Sequence, residues 1–567
     1  MASPNGRVVP ADYPPPVKPE EEFVGEPTDA EEDRIEVGVA IVGGGQAGLA
    51  CAIRLLALLE QDPKLAERLG EVPVAVIEKG KVAGAHQLSG GIMRPSAMRE
   101  LFPDLPESEW PTYGEVPGEA VYVMLNSKRA QRIPTPPPFK NHGNHIVSVA
   151  KLNRWLAEQA EQAGAYILAE TSATKLLVED GVVRGVRSGD KGRGKDGEEL
   201  SNFEPGSDVI ARATVLAEGT WGHLTGAAIR ALDLGQADPQ VWALGVKEVW
   251  EVTKPLEKVI HTLGWPLRTA AKYREFGGSW VYPMGSDQVS IGFVVGLDYT
   301  DATLSVHDIL QQFKLHPLIR GILEGGKRIG WGAKAIPEGG YWAMPKLTAP
   351  GMVICGDGGG MVNVPELKGI HYAMHSGILA AEKIYEALKR DSTDLSAYDD
   401  AVHDSVIGTD LYRTRNMKQP FAKGFFVGGA IVNAMVATKG RFPGGHWATH
   451  ADAEEPVFLG TRKDSYPKPD GKYTFDKLSS VYITGNETRD DAPNHIRIQK
   501  HVPRELAEAW QWMCPAGVYE VPDDAPEEGP VDLVVNYTNC VQCGAITAKG
   551  GRLTPPEGGD GPLYQLT

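Results

Sequence analysis

Apolar and polar positions along this chain fall into blocks that read as strand–turn–helix units. Val37 to Val42 (VGVAIV) is a short, β-branched apolar run of the kind buried on both faces in a parallel sheet. The turn Gly43-Gly44-Gly45-Gln46-Ala47-Gly48 follows at once, and Leu49 to Leu59 (LACAIRLLALL) predicts a largely apolar helix. A second apolar run, Val72 to Ile77, ends at Glu78. Later runs, Thr214 to Gly219 and Met352 to Ile354, each lead into glycines, the latter into Cys355-Gly356-Asp357-Gly358-Gly359-Gly360. From Gly369 onward small residues recur every four positions (Gly369, Ala373, Gly377) and share one helical face.

This pattern carries chemistry. In a strand–GxGxxG–helix unit, Gly43 permits the tight turn, Gly45 admits a pyrophosphate against the backbone, and Gly48 lets helix and strand pack closely. The first N–H groups of the helix then face the phosphates. Glu78, ending the second strand, is placed to accept hydrogen bonds from ribose hydroxyls. It lies beyond the usual spacing of about 20 residues, and the stretch Gln61 to Glu71 accounts for the excess. Gly219, Gly356, Asp357 and Gly369 point to FAD as the dinucleotide. Asp357 suits the ribityl chain, and the helix after Gly369 aims its N-terminus at the pyrophosphate or flavin. Close helix–strand packing is the competing explanation of that helix face. No second strand–GxGxxG–helix unit is visible, which favours a protein electron donor over NADPH.

At 567 residues the chain predicts two to four domains. Its formal net charge of −17 argues against nucleic-acid binding. Five cysteines, an odd number without a dense framework, suggest a reducing compartment. The N-terminus shows no basic start leading into an apolar run, and residues 1 to 33 hold seven prolines and nine acidic residues. A mobile arm over 1–35 and a prokaryotic cytoplasmic setting follow from that. Residues 411 to 441 reverse the charge, with six basic residues and no acidic one. Between Lys423 and Lys439 lie fifteen uncharged residues, fewer than the about 20 that a span requires. The expectation is a helix lying in a membrane interface, with Arg413, Arg415, Lys418, Lys423, Lys439 and Arg441 near headgroups. A buried core helix is the alternative. Ser188 to Ser207 reads as an exposed insertion, Cys51 and Cys355 as small core residues, and His142 and His145 as loop residues beside the flavin pocket.

Several stretches together carry a resemblance. They are Gly84-Ala-His-Gln-Leu-Ser-Gly-Gly91, Gly277-Gly278-Ser279, Gly292 to Tyr299, Leu323 to Ile329, Pro345 to Thr348 and Asn363 to Gly369. The chain resembles the electron-transfer-flavoprotein:quinone oxidoreductases over roughly residues 36 to 567. The resemblance implies an α/β and α+β architecture. A glutathione-reductase-like FAD domain (36–110, 145–230, 335–410) would interleave with a mixed-sheet quinone-binding domain (111–144, 231–334). An interfacial membrane segment (411–450) and a ferredoxin-like domain (470–567) would follow. It also implies electron transfer flavoprotein as partner, and a quinone, ubiquinone or menaquinone, held against Gly277 and Gly278. The implied setting is peripheral or monotopic, on the cytoplasmic face of a prokaryotic inner membrane.

Cys514-Pro515 and Cys540-Val-Gln-Cys543 resemble half a bacterial ferredoxin, but Ile546 stands where the family has the third cysteine of the run. Three outcomes follow for the iron–sulfur cluster: a 3Fe-4S form on Cys514, Cys540 and Cys543, a 4Fe-4S form with a non-cysteine fourth ligand, or a scaffold without a cluster. Structural zinc is a weaker fourth. Two rival functions share the FAD fold, an FAD-dependent reductase of an isoprenoid lipid and a non-enzymatic membrane docking flavoprotein.

Overall fold

The computed structural model describes residues 7–28, 30, 33–527 and 529–567. The β-branched run forms the strand Arg34–Val42, which pairs in parallel with Val74–Ile77 on one side and Asp208–Leu216 on the other. Its last six residues are buried because both flanks and both faces are covered. Met352–Ile354 extends the same sheet from the far edge of Asp208–Leu216. The glycine turn and the loops after residues 77, 216 and 354 therefore emerge at the carboxyl ends of neighbouring parallel strands.

A second, seven-stranded sheet gathers Glu119–Met124 and Ala130–Ile133 with the five strands between Trp242 and Pro337. Trp242–Glu251 lies between Gln288–Gly296 and Lys327–Pro337, and all but its last residue is buried. Strand alternation sends Lys247 and Glu248 to opposite faces. Lys247 donates to the Ser89 backbone oxygen at 2.9 Å, on the side of the first sheet. Glu248 turns to the helix Val306–Lys314, where Lys314 Nζ donates to it at 2.7 and 2.8 Å and Trp250 Nε1 at 2.7 Å. A buried carboxylate so saturated stabilises the native arrangement only as a complete set.

The C-terminal region contains three two-stranded ribbons and the helix Arg504–Met513. Its last residues return to the second sheet, where the Tyr564 hydroxyl accepts from the Ala333 N–H at 3.2 Å.

Two expectations are corrected. The N-terminal stretch is docked over residues 7–28. Val24–Gly25 adds a parallel strand beside Leu176, Phe23 is 3% exposed, and Pro10 and Tyr13 are buried. Averaged composition hides these few apolar residues, each of which finds a preformed groove. Residues 1–6, 29, 31 and 32 of the arm lie outside the described residues. The stretch 188–207 is a β-hairpin, Lys191–Arg193 with Glu199–Glu204, and not a loose loop. It is tied down where the Gly192 N–H donates to Glu557 Oε2 at 3.0 Å and Arg489 Nη2 to the Arg193 backbone oxygen at 2.9 Å.

If the N-terminal stretch is part of the core, Phe23→Ala leaves a cavity costing about 3 kcal/mol. The expected outcome is a lower thermal unfolding midpoint and faster proteolytic cleavage within residues 7–28.

Candidate functional site

The glycine turn is enforced by backbone sterics. A Cβ on Gly43, which has φ +108°, would sit 2.3 Å from the Ala217 oxygen, and one on Gly48 would sit 2.1 Å from the Gly43 oxygen. The helix Gln46–Glu60 begins at Gly45 with no side chain capping its first turn, so its leading N–H groups are free for an anion. Glu78, 7% exposed, accepts from the Gly44 N–H at 2.9 Å and the Gly80 N–H at 2.7 Å, which anchors its carboxylate at the turn.

The helix Ile370–Lys389 crosses over this point. A Cβ on Gly377 would lie 2.1 Å from the Ala47 oxygen, and one on Gly356 would be 3.2 Å from Ala47 and 3.4 Å from Ala373. The small residues four apart thus set a close helix crossing, with Gly369 at the helix N-cap. The close packing expected of that helix face is what the structure shows. Asp357, in the 3-10 turn Gly356–Gly359, has its carboxyl pushed up to about 6 by burial.

All these features open on one cavity of about 980 Å³, at the large end for a cofactor site. Gly43, Gly45, Glu78, Gly219, Gly356, Asp357 and Gly369 line it, while Gly48 stands behind the turn in a packing role. The cavity continues past Gly277 and Gly278, on the second sheet, to the helix Phe425–Ala437. Gly277 has φ +155°, and a Cβ there would meet the Val294 oxygen at 2.0 Å, so the strand itself demands glycine. His142 is exposed and His145 is buried in the strand His145–Val147, bonded to Thr112 and Glu107. Neither lines the cavity, contrary to expectation.

The helix Phe425–Ala437 sits at the mouth. Phe425, Phe426, Gly429, Val432 and Val436 line the cavity, and Phe426 is also 74% exposed, as is Val427 beside it at 52%. No helix among the described residues is long and apolar enough to cross a membrane. The basic set around it needs correction. Arg415 is buried, with Nη1 donating to the Tyr412 backbone oxygen at 2.7 Å, and Lys418 pairs with Glu338 at 2.8 Å in the interior. Nearby carboxylates hold the Lys418 amine above its ordinary value despite burial. Arg413, Lys423, Lys439 and Arg441 remain exposed.

At the opposite side of the cavity the C-terminal region closes in. Lys79 Nζ donates to Gln542 Oε1 at 2.8 Å and Lys334 Nζ to the Gln542 backbone oxygen at 3.2 Å. Burial brings Lys334 down to about 8. Gln542 lies between Cys540 and Cys543, which together with Cys514 and Ile546 line a small adjoining recess. Backbone N–H groups of Val518 and Gln542 donate to the sulfurs of Cys514 and Cys540, both at 3.4 Å. The three thiols line one recess and two of them accept from backbone amides, as cluster sulfurs do, while no group of three or more Cys, His, Asp or Glu among the described residues is gathered closely enough to hold a single metal ion. Of the side chains lining the recess, only the three cysteines and Tyr519 carry a sulfur, oxygen or nitrogen apart from Met513. The donor set therefore fits a cluster held at three corners and not one held by four thiolates.

Three family models match this chain. They are the ubiquinone-binding model of the electron transfer flavoprotein-ubiquinone oxidoreductases over residues 242–336, their 4Fe-4S model over 471–565, and an FAD binding domain over 124–246. The electron transfer flavoprotein-ubiquinone oxidoreductase of Caenorhabditis elegans (mitochondrial) is 38% identical, over 93% of this chain and 91% of that protein. The one from Pseudomonas aeruginosa is 37% identical, over 94% of this chain and 99% of that protein. The chain belongs to this family.

The ubiquinone-binding match contains Gly277 and Gly278, and the 4Fe-4S match contains all three C-terminal cysteines. The α/β and α+β class, with an FAD domain, a mixed-sheet domain and a ferredoxin-like tail, agrees with both the models and the sheets. FAD, an iron–sulfur cluster and a quinone are the groups these family models describe. A geranylgeranyl bacteriochlorophyll reductase-like protein of Thermoplasma acidophilum is structurally similar, with TM-score 0.54 and 19% identity over 72% of this chain and 92% of that one. That likeness extends to the fold alone.

Sequence reasoning missed Lys79, Lys334, His261, Tyr282 and Lys368, all of which line the cavity. His261, Tyr282 and Lys334 lie on three strands of the second sheet and Lys79 and Lys368 in loops, and only the pairing of distant segments brings their polar ends together. The test of the crossing is Gly377→Val. Forcing a side chain against Ala47 should separate the two helices, and the purified protein should lose most of its flavin while remaining folded by circular dichroism.

Proposed function

We propose that this chain accepts electrons from reduced electron transfer flavoprotein and delivers them to ubiquinone at a membrane surface. The observation that carries this reading is the single cavity joining the glycine turn to the apolar helix Phe425–Ala437. One end suits a dinucleotide, and the other suits a lipophilic ring and tail. The division of labour follows the two sheets. The first, with its two crossing helices, holds the flavin nucleotide, the second holds the quinone, and the tail holds the cluster.

Bound in the first part, FAD supplies one- and two-electron redox chemistry. The backbone at Gly43 and Gly45 and the start of the helix Gln46–Glu60 would hold its pyrophosphate, Glu78 its ribose, and Asp357 its ribityl chain. Lys334, close enough to lower the Asp357 pKa, offsets part of the burial cost of that carboxylate. On the second sheet, the N–H groups beside Gly277 and Gly278 would receive a quinone carbonyl, with Leu263, Phe276 and Phe421 excluding water from the ring. The tail leaves past Phe425 and Val432.

The helix Phe425–Ala437 lies in the interface with Phe426 and Val427 toward the acyl chains. Lys423, Lys439 and Arg441 flank it at the headgroups, a smaller set than charge counting suggested. A sparse, odd set of five cysteines and a net charge of −17 support the cytoplasmic face of a prokaryotic inner membrane as the setting we infer.

Cys514, Cys540 and Cys543 would hold a cluster, and Ile546 stands in the same recess where a fourth thiolate would be needed, so the form we infer is 3Fe-4S. With no fourth thiolate in the recess, a fourth iron would be the labile one. Anaerobically prepared protein should contain about three irons per chain and show a three-iron EPR signal when oxidised, and Ile546→Cys should convert it to about four irons with a signal on reduction. Four irons per chain in the unaltered protein overturn the three-iron form.

The functional test is ubiquinone reduction by enzymatically reduced electron transfer flavoprotein in liposomes. Turnover is expected with that donor and not with NADPH. Replacing Lys423, Lys439 and Arg441 together by Gln should weaken binding to anionic vesicles by roughly 100-fold. Turnover with a short-tail quinone in solution should change little.

A further inference from the structure

The second sheet presents to the cavity a polar cluster to which electron transfer gives no role. His261, 2% exposed, lies on the strand Val259–Gly264 opposite Trp280, and its Nε2 is 2.7 Å from the Tyr282 hydroxyl. Phe139 stacks on the imidazole at 4.9 Å with 18° between the rings. Nδ1 is buried without a hydrogen-bond partner. Burial, reinforced by the nearby Lys368 charge, pushes His261 down to about 3, so the ring is neutral with one donor and one acceptor nitrogen.

Lys368, 3% exposed, donates from Nζ to the Glu366 backbone oxygen at 3.0 Å. The carboxylates acting on it, Glu366 and Glu119, are engaged elsewhere, Glu366 by Arg94 and Glu119 by the Asn141 N–H. Arg94 also bonds Asp410, and the neighbouring His371 is buried and held below its ordinary value. Burial leaves Lys368 at about 7, in the range where an amine loses and regains a proton readily. His261, Tyr282 and Lys368 line the same cavity as Gly277 and Gly278, and Gly278 precedes Trp280 by two residues on one strand face.

We propose that Lys368, His261 and Tyr282 form a relay delivering a proton to the carbonyl oxygen of a quinone bound against Gly277 and Gly278. The relay rests on the quinone reading given above. A proton leaves Lys368 Nζ and reaches His261 Nδ1 through cavity water. His261 Nε2 passes its proton to the Tyr282 oxygen, and the Tyr282 O–H bond yields its hydrogen to the quinone carbonyl. The imidazole ends as the other tautomer, and before the next turnover it loses the Nδ1 proton to water and regains one at Nε2 from the Tyr282 hydroxyl, which is reprotonated by water, while Lys368 is also recharged from water. The second proton, for the opposite carbonyl, comes from water. With two electrons from reduced electron transfer flavoprotein, the quinone becomes quinol and the balance closes. Phe139 and the strand hold the ring in place, so the relay needs no movement of side chains beyond the tautomer change.

The test uses the FAD-loaded enzyme with reduced electron transfer flavoprotein and two acceptors, a short-tail ubiquinone and ferricyanide, which takes one electron and no proton. The donor is the protonated amine, so quinone turnover in the unaltered enzyme falls as pH rises through about 7. Lys368→Met should lower kcat for quinone relative to ferricyanide by roughly 100-fold, with KM little changed and the pH limb gone. Tyr282→Phe should lower the same ratio. Lys368→Arg keeps the charge but cannot titrate, so it too should lose the pH limb. Quinone turnover within about twofold of the unaltered enzyme in Lys368→Met and Tyr282→Phe overturns the relay. Equal losses with both acceptors overturn it too, since they mark a structural role. An unaltered enzyme that reduces ferricyanide but no quinone overturns the quinone reading instead.

Discussion

The close crossing of the helices Gln46–Glu60 and Ile370–Lys389 is the constraint on which the rest of the molecule depends. Gly377 lies against the Ala47 backbone, and Gly356 is wedged between Ala47 and Ala373. That contact fixes the first turn of one helix beside the N-terminus of the other, though more than 300 residues separate them. Two sets of unpaired N–H groups then face the same space, and a dinucleotide is the ligand that satisfies both.

From this crossing the cavity extends in three directions, each closed by a different part of the chain. The second sheet supplies the stretch around Gly277 and Gly278, where backbone approach excludes any other residue at the first position. The helix Phe425–Ala437 supplies the mouth, one face inward and the other exposed. The C-terminal region seals the remaining side through Gln542, which receives Lys79 and Lys334 and sits between two cysteines. The cysteine recess and the flavin cavity therefore share a wall. A lysine lacking a bonded carboxylate is costly inside a protein. Lys334 and Lys368 line this one cavity and Lys247 bonds the backbone of Ser89, which lines it, and burial lowers each amine toward neutrality.

Much of the nucleotide half was legible in the sequence. A glycine turn between an apolar strand and an apolar helix has one low-energy solution, so Gly43, Gly45, Gly48 and Glu78 could be given roles from spacing alone. The small residues at 369, 373 and 377 announced a close approach, though not its partner. The missing fourth cysteine was equally plain, because ligand count is a property of composition. The N-terminal stretch was misread because its averaged acidity outweighed a few apolar residues, and Phe23 and Val24 needed a groove that only the folded chain provides. The basic segment was misread for the converse reason. Charge counting cannot tell that Lys418 is spent on Glu338 in the interior while Lys423 stays outside.

What the sequence determined by itself is every feature carried by local pattern: the glycine turn, the helix too short to span and the three-thiol set, with the family carried separately by motifs such as Gly84–Gly91 and Asn363–Gly369. What the tertiary structure decided is which distant polar groups meet. His261, Tyr282 and Lys368 come from separate segments whose patterns read as apolar strand and loop, and no local rule links them. Their meeting follows from sheet register and from the placement of one sheet against the other. Burial then shifts their proton affinities, and burial is a property of the whole packed chain.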